Sequence, residues 1–535
     1  MNREAYSLKF YGRDFTPIIE DLKEEVPFGK EKTLNKEEQL RIIIKFLDLQ
    51  KNNIEGLIVD FNHKKNNDYE LYSIINDEYY WSGLVGVIKG KIPQLFESDI
   101  KGDNELIEEN NEYENVEITI QIQSRFDVNS GNKLAKPYFL STMLLQCKSD
   151  VNNQIVPNNS DEFFFDLLLL YLFKEKANKC YMKGLYKTYQ RFEKNDDKLK
   201  GTIDISRHIR LNLGLENGKV SYSYRENTVD NYLNYLILSA YYALKKKYPE
   251  TTMSVYFDPL NVNMKLLIDT LSSKINHLKY DNRTLIMKNL RNISHPFYTE
   301  YDELRIISLR ILRNEGVSMF DGEVDEINGI LLCIPDLWES YLEHLLLDSS
   351  YNLYIQGYQH KSINIIDYND DGIYKQKTYP DFVFSSYINK KEIPFMILDA
   401  KFKPNWGNVL NEQKPISSVL DDYNKCIRDM NSISAHACGT IFPTNIDLTS
   451  KQKEILKHNI SEHNKIDKFY TFPILVPLSD TENGGYSQWF FDFKDKNKEI
   501  IKLLKKYINQ EKQFTVLNYD LINKLNNLRR NDEII

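Results

Sequence analysis

Cysteine is scarce in this chain: Cys147, Cys180, Cys333, Cys426 and Cys438 are the five in 535 residues, odd in number, widely spaced and never in a CxxC pair. Such a set builds neither a disulfide framework nor a zinc ribbon, so reduced thiols in ordinary packing are expected. Glycine (21) and proline (16) are also sparse, which excludes collagen-like and low-complexity disordered chains. The longest apolar run, Phe163 to Phe173, is interrupted by Asp166 and falls short of the roughly 20 residues that cross a bilayer, so it reads as a buried helix and no membrane partner is expected. The opening MNREAYSLKFYGRD carries no apolar h-region and no small-residue cleavage site, which predicts a cytoplasmic protein. A GxxxxGK[ST] loop is missing as well. Without that backbone cradle for phosphates the chain is not expected to be a nucleotide-driven motor.

What is present predicts ordered structure. The hydrophobic fraction is 41% and charged residues make up 27%, with 36 Tyr and 27 Phe, and the length calls for two to four cores. The formal net charge of -8 repels nucleic acid from the molecule as a whole, so any DNA contact needs a local basic surface or a partner.

The pattern along the chain is that of a multidomain α/β protein. Residues 1–76 form an α/β adaptor region in which Leu40, Ile43, Ile44 and Leu47 fall at helical spacing. Residues 77–150 form a β-rich, partner-binding domain, with a strand at Gly83 to Ile88 and the alternating VEITIQI at Val116 to Ile122. Between those strands the acidic stretch Glu97 to Glu114 reads as an exposed loop. Residues 151–325 form a helical linker domain, with helices over Glu162 to Lys176, Val229 to Lys247 (capped by Asn227 or Thr228), Asn263 to Ile275 and Thr299 to Asn314. Residues 326–495 mix helices (Pro335 to Asp348, Val419 to Asn431) with strands, including Gly439 to Phe442 and Phe469 to Val476. Residues 496–535 form a lysine-rich helical tail.

The chemistry is concentrated in one stretch. Tyr379-Pro380-Asp381-Phe382-Val383-Phe384 precedes a polar turn at Asn389 to Glu392, then Pro394-Phe395-Met396-Ile397-Leu398-Asp399-Ala400-Lys401 follows, and the two apolar runs read as a β-hairpin. Side chains alternate along a strand, so Asp399 and Lys401 share one face, opposite to Ala400, and Asp381 reaches that face from the paired strand. Two converging carboxylates repel and call for a divalent cation with oxygen ligands, Mg2+ in the first place and Mn2+ as a substitute. Lys401 beside them would orient or help deprotonate an attacking water and stabilise charge at phosphorus, which together describe a phosphodiester hydrolysis site. An Asp–Lys pair on an edge strand is ordinarily a solvated salt bridge. Here the pair follows FMIL, an interior strand by its pattern, where unpaired charge is costly.

The expected catalytic residues are therefore Asp381, Asp399 and Lys401, and the expected metal-site residues are Asp381, Asp399, Glu339 and Ala400. Glu339 comes from the helix opened by LWESYL, with Glu343 as its rival one turn later. Lys403, Asn424 and Arg428 are the expected DNA contacts, and Tyr423 and Lys425 on the same helix as Asn424 and Arg428 could also touch the phosphate backbone. The basic and aromatic stretch Lys183 to Arg210 is a further possible surface for DNA or a partner, although it also carries four acids. Arg225 reads as an anchor of the turn before the Val229 helix, with an arginine finger toward a partner's nucleotide as the other reading. His458 and His463 lack the spacing of a ββα-metal nuclease.

These residues resemble the McrC-like nuclease subunits of McrBC and LlaJI-type restriction systems, within the PD-(D/E)xK nuclease superfamily. PDFVF and ILDAKFK are similar to that family's catalytic hairpin and LWESYL to the helix before it. The likeness extends back through Lys183-Gly184-Leu185 with Tyr189, Lys200 to Asp204, and Tyr224 to Thr228 with Asn231 and Asn234, so it spans about residues 80 to 445. Two positions depart from the family pattern: Ile120 to Phe126 stands where an IxPK-like strand end is usual, and Asn424 where Gln is common. The resemblance implies a restriction-endonuclease-like α/β domain, Mg2+-dependent cutting of double-stranded DNA, and an McrB-like AAA+ GTPase partner whose nucleotide hydrolysis the chain stimulates. Two alternatives stay open: a regulatory or scaffold protein with a nuclease fold, and a stand-alone DNA repair or mobile-element nuclease.

Overall fold

The computed structural model describes residues 6–29, 32–51, 58–59, 70–101, 112–129, 136–146, 161–212, 218–249, 252–253, 256, 261–293, 295–313, 328–348, 350–355, 363–364, 377–378, 380–388, 390–403, 406, 417–446, 468–478 and 485–532. The protein is a mixed α/β chain that divides into two compact units: Met1–Lys148 with Val156–Asp161 and Gly322–Ile535, and Ser149–Ile155 with Glu162–Asp321.

The first unit contains two five-stranded sheets. One runs in the spatial order Ser7–Arg13, Glu112–Gln123, Leu84–Phe96, Asn328–Cys333, Ile58–Val59. Its period-2 patterns determine which side is buried. Leu8 and Phe10 point inward from the first strand, and Val116, Ile118, Ile120 and Ile122 from the VEITIQI strand. The strand Asn328–Cys333, more than 200 residues downstream, pairs antiparallel with Leu84–Phe96 and completes this sheet. The structure thus groups elements from three of the segments expected to be separate (1–76, 77–150 and 326–495), because the run Ile330-Leu331-Leu332 needs neighbours on both edges and finds them there.

The helix Lys36–Gln50 starts at a capping box: Asn35 Oδ1 accepts from the Glu38 N–H at 3.0 Å, and Glu38 accepts from the Asn35 N–H at 2.8 Å. Its buried stripe is Ile42, Ile43, Phe46 and Leu47. Leu40 and Ile44, expected in that stripe, are half-buried, since the larger Phe46 ring takes the centre of the face. In the acidic stretch between the two long strands, Glu97–Lys101 is a helix with Glu97 and Ile100 buried, and 102–111 lie outside the described residues.

The second sheet has the order Asn352–Ile355, Phe382–Ile388, Lys391–Ala400, Ala437–Thr444, Lys468–Leu475. The first two pairings are antiparallel and the last two parallel. A parallel step needs a crossover, supplied between the third and fourth strands by the helix Ser417–Ser432. The final helix, Gly485–Asp532, is a single element that crosses the expected boundary at 496. Its first turns are anchored beside this sheet: Trp489 Nε1 donates to the Pro477 carbonyl (2.9 Å), and Asn497 both donates to the Leu475 carbonyl and accepts from its N–H (2.8 Å each).

The second unit holds the helices Tyr232–Lys247, Val262–Lys274, Asn282–Lys288 and Thr299–Leu312, together with most of Asp161–Met182, in which Leu169 to Phe173 are buried. It is not wholly helical. The stretch Lys183 to Arg210 forms the strands Thr188–Asp196 and Thr202–Ile203, which pair with the two edges of Val220–Thr228, and the start of the helix Ile205–Asn212. Phe192 stacks on Tyr224 across that sheet at 5.5 Å. Arg225 is an exposed residue of the central strand. Because that strand persists to Thr228, the next helix is capped by Asn231 and not by Asn227 or Thr228: Asn231 Oδ1 accepts from the Asn234 N–H at 3.0 Å. Among the described residues no helix is long and apolar enough to cross a membrane.

Glu511, on the final helix, gives the second sheet its most concentrated polar anchor. Its carboxylate, 2% exposed, meets His436 Nε2 (2.8 Å), Lys468 Nζ (3.0 Å) and Tyr470 OH (2.5 Å). Burial acts against the charge, but these three donors together hold the carboxyl below its usual range. A lowered folded pKa contributes stability that is present above the ordinary carboxylate range and lost as pH falls through the lowered value. Glu511→Ala is expected to cost about 3 kcal/mol near neutral pH, since it leaves the buried Tyr470 hydroxyl and the half-buried His436 ring without their acceptor. Urea unfolding measures this loss, and the gap from wild type should shrink as pH falls below about 4.

Candidate active site

The site lies where the second sheet brings together two strand ends. Phe382–Ile388 and Lys391–Ala400 run antiparallel, with Phe382 opposite Leu398 and a register shift between Phe384 and Ser385 that accommodates Pro394. Lys390 takes a left-handed backbone (φ 65°) in the turn between them. Tyr379 and Asn389 lie outside the described residues. On its other side Lys391–Ala400 pairs in parallel with Ala437–Thr444, so it is an interior strand and Phe395 to Leu398 are buried on both faces. Antiparallel pairing sets the start of one strand beside the end of the other. Asp381, one residue before Phe382, therefore stands next to Asp399, and the Ala400 N–H donates to Asp381 Oδ2 at 2.7 Å.

Asp381 and Asp399 are both buried, at 7% and 3% exposure. Lys401 Nζ sits 2.6 Å from Asp399 Oδ2, consistent with residues two apart sharing a face. Burial, and then the neighbouring charge of Asp399, push the Asp381 carboxyl well above its ordinary value, and Glu339 adds to the effect. For Asp399 burial acts in the same upward direction, but Lys401, the hydrogen bond with Asp381 and Lys425 outweigh it and hold the carboxyl below its ordinary value. The two carboxyls are thus driven apart in pKa, Asp381 upward and Asp399 downward. Lys401 is itself pushed up: burial opposes its charge, yet Asp399, Asp381 and Asp422 together favour it.

Glu339, half-buried on the helix Ile334–Leu346, is close enough for its charge to act on Asp381. Ala400 enters the site through its backbone. Of the expected DNA contacts, Lys403 is drawn to Asp422 (2.9 Å), while Asn424 and Arg428 are exposed on the helix Ser417–Ser432, with Arg428 3.4 Å from Asp429. Lys425, expected to touch the phosphate backbone, and Asp422, outside the expected set, also belong to the cluster. Lys425 Nζ lies 3.4 Å from Asp399 Oδ1. Asp422, buried one turn earlier, gathers Lys401 (3.5 Å), Lys403 and the Trp406 Nε1–H (3.2 Å). The i, i+3 spacing of Asp422 and Lys425 on the crossover helix is the sequence signal that points both toward the strand end. His458 and His463 lie outside the described residues.

The donor set suits a hard divalent cation. Among the described residues no three His, Cys, Asp or Glu side chains are gathered into a metal-holding group. The buried pair Asp381 and Asp399 offers oxygen donors only, and a divalent cation would offset the repulsion that helps raise the Asp381 carboxyl. A carboxyl whose folded pKa is raised favours the fold below its unfolded pKa, and that stability is lost as pH rises through the folded value. Asp381→Asn removes the repulsion and retains an oxygen to accept from Ala400. It is expected to stabilise the protein by about 1 kcal/mol near neutral pH without added divalent cation. Thermal unfolding measures the gain, which should disappear at about pH 4.

The model of the McrBC 5-methylcytosine restriction system component family matches residues 109–423. The chain is similar to a solved half-complex from a tetradecameric assembly of Thermococcus gammatolerans McrB AAA+ hexamers with bound McrC, at 13% identity and a TM-score of 0.36, covering 92% of this chain and 100% of that one. It is also similar to the cryo-EM structure of the Thermococcus gammatolerans McrBC complex, at 13% identity and a TM-score of 0.24, covering 64% and 87%. No curated protein matches.

Proposed function

Because the chain belongs to the McrBC 5-methylcytosine restriction system component family, we propose that it is the nuclease subunit of such a system, cutting DNA by hydrolysis of phosphodiester bonds. The observation that carries this reading is the buried Asp381 and Asp399 pair with Lys401 2.6 Å from Asp399, at the end of an interior strand. Taking Asp381, Asp399, Asp422 and Lys401 out of water costs desolvation that an apolar strand end would not, and such arrangements cluster at functional sites. Setting aside the separate two-stranded sheet of Ile363–Asn364 and Lys377–Thr378, the helix Ile334–Leu346, three strands of the second sheet, the helix Ser417–Ser432 and the strand Ala437–Thr444 follow in an order that fits a PD-(D/E)xK nuclease domain.

In this reading Asp381 and Asp399 would hold Mg2+, or Mn2+ in its place, with Glu339 and the Ala400 backbone beside them. A bound divalent cation supplies Lewis-acid polarisation of the scissile phosphate. Lys401, held beside Asp399 and Asp422, acts as a hydrogen-bond donor. Its ammonium orients the attacking water and stabilises the negative charge that develops on the phosphate oxygens. Asp422 keeps Lys401 and Lys403 extended from the strand end, and Lys403, Asn424, Lys425 and Arg428 present donors to the DNA backbone. The absence of a GxxxxGK[ST] loop assigns nucleotide hydrolysis to a separate subunit, an McrB-like AAA+ GTPase that the chain stimulates.

The test is DNA cleavage by the chain together with a cognate AAA+ partner. Lys401→Ala is expected to slow cutting by roughly 100- to 1,000-fold while leaving DNA affinity near wild type, as loss of one charge-stabilising donor does. Cleavage by the variant at the wild-type rate rejects the assignment. Chelation of divalent cation is expected to abolish cutting, with restoration by added Mg2+.

A further inference from the structure

We infer that Arg125, at the end of the N-terminal sheet, is a positioning residue that sets the place of Lys401, so that the condition of this sheet controls the catalytic strand. The inference rests on the nuclease reading above and adds to it a means of regulation.

After Lys401 the chain leaves the sheet. The Lys401 N–H makes its ladder bond to the Ile441 carbonyl (2.9 Å), and the Phe402 carbonyl that follows needs a donor from elsewhere. The Arg125 guanidinium supplies it through Nη2. Arg125 is 13% exposed and packs among three rings, 4.8 Å from Phe15, 5.6 Å from Phe126 and 5.7 Å from Phe402. Phe126 meets Phe402 edge-on at 4.8 Å, so ring and carbonyl of the same residue are held from the same turn.

The turn itself is fixed by the N-terminal sheet. The Arg125 N–H donates to Asp14 Oδ1 at 2.6 Å, and Asp14 follows directly on the strand Ser7–Arg13, parallel neighbour of Glu112–Gln123. Asp14 is fully buried, and its Oδ2 lies 3.7 Å from Arg125 Nε. Asp127 accepts from the N–H groups of Phe139 (2.7 Å) and Leu140 (3.2 Å), at the start of the helix Tyr138–Gln146. Asn445, just past the strand Ala437–Thr444, donates to the Phe126 carbonyl at 3.0 Å. Two of these links, through Phe402 and Asn445, join the end of one sheet to the end of the other. A shift of the Ser124 to Val128 turn therefore moves Phe402, and with it the backbone of Lys401.

Purified full-length protein, with its AAA+ partner for cleavage assays, tests this through two readouts. In the first, amine acylation followed by mass spectrometry reports how well Lys401 is held, without metal or DNA. Arg125→Ala is expected to speed labelling of Lys401 and Lys403 several-fold while other lysines keep their wild-type rates. In the second, the same variant should cut DNA about 100-fold more slowly at saturating substrate, with KM unchanged, as expected for misplacement by about 1 Å. Arg125→Lys keeps the charge opposite Asp14 but lacks the planar fork; it should recover the labelling pattern in part and cut roughly tenfold more slowly than wild type. Wild-type labelling and wild-type cutting in Arg125→Lys overturn the inference, and this variant decides it where Arg125→Ala fails to fold. A uniform rise in labelling of all lysines in a folded variant also overturns it. If wild type and Lys401→Ala cut alike, the nuclease reading falls, and the labelling alone then judges the positioning role.

Discussion

The hydrogen bond from the Ala400 N–H to Asp381 Oδ2 is the constraint on which the site depends. It joins the end of one strand to the residue before the next, and it does so with a backbone donor whose position the sheet already fixes. Asp381 is thereby kept beside Asp399 despite their mutual repulsion, which together with burial raises the Asp381 carboxyl. A backbone N–H cannot rotate away as a side chain can, so the convergence of the carboxylates follows from strand register.

The rest of the second sheet supports that register. Phe395 to Leu398 are buried because the strand has neighbours on both edges, and charge is confined to the two ends of the strand, Lys391 and Glu392 at one and Asp399 at the other. Asp422 and Lys425 reach the same end from the crossover helix, whose inner face is packed by Val419, Cys426 and Met430 against the sheet. Around the two carboxylates the chain arranges lysines on one side and aromatic rings on the other. Lys401 faces the acids, while Phe402, the next residue, turns into the cluster of Phe126, Phe139 and Trp338.

Much of the site was legible in the sequence because strand alternation is a strict rule. Asp399 and Lys401 two residues apart, after FMIL, had to share a face at the end of a buried strand. Helices were legible for similar reasons, and their ends shifted by only a few residues where a cap competed, as Asn231 did with Asn227 and Thr228. Less legible were pairings made over long sequence distances. Nothing local in Asn328–Cys333 says that it joins Leu84–Phe96, and nothing local in Thr188–Asp196 separates a strand from a solvated basic segment. Asp422 went unnoticed because an acid on an amphipathic helix is ordinarily a surface residue; it becomes part of the site only when the crossover returns that helix over the strand end.

The first unit is discontinuous in sequence. Its N-terminal sheet has its long antiparallel pair by Gln123 but receives the strand Asn328–Cys333 only after roughly 160 residues of the second unit have intervened. At ribosomal speeds of about 5–20 residues per second, that is a wait of roughly 10 to 30 seconds with one edge of Leu84–Phe96 open. During that interval an unpaired, apolar edge is a template for wrong partners. The nascent chain therefore has a vulnerable period set by its own topology, and early folding of the intervening unit shortens the distance over which the late strand must find its place.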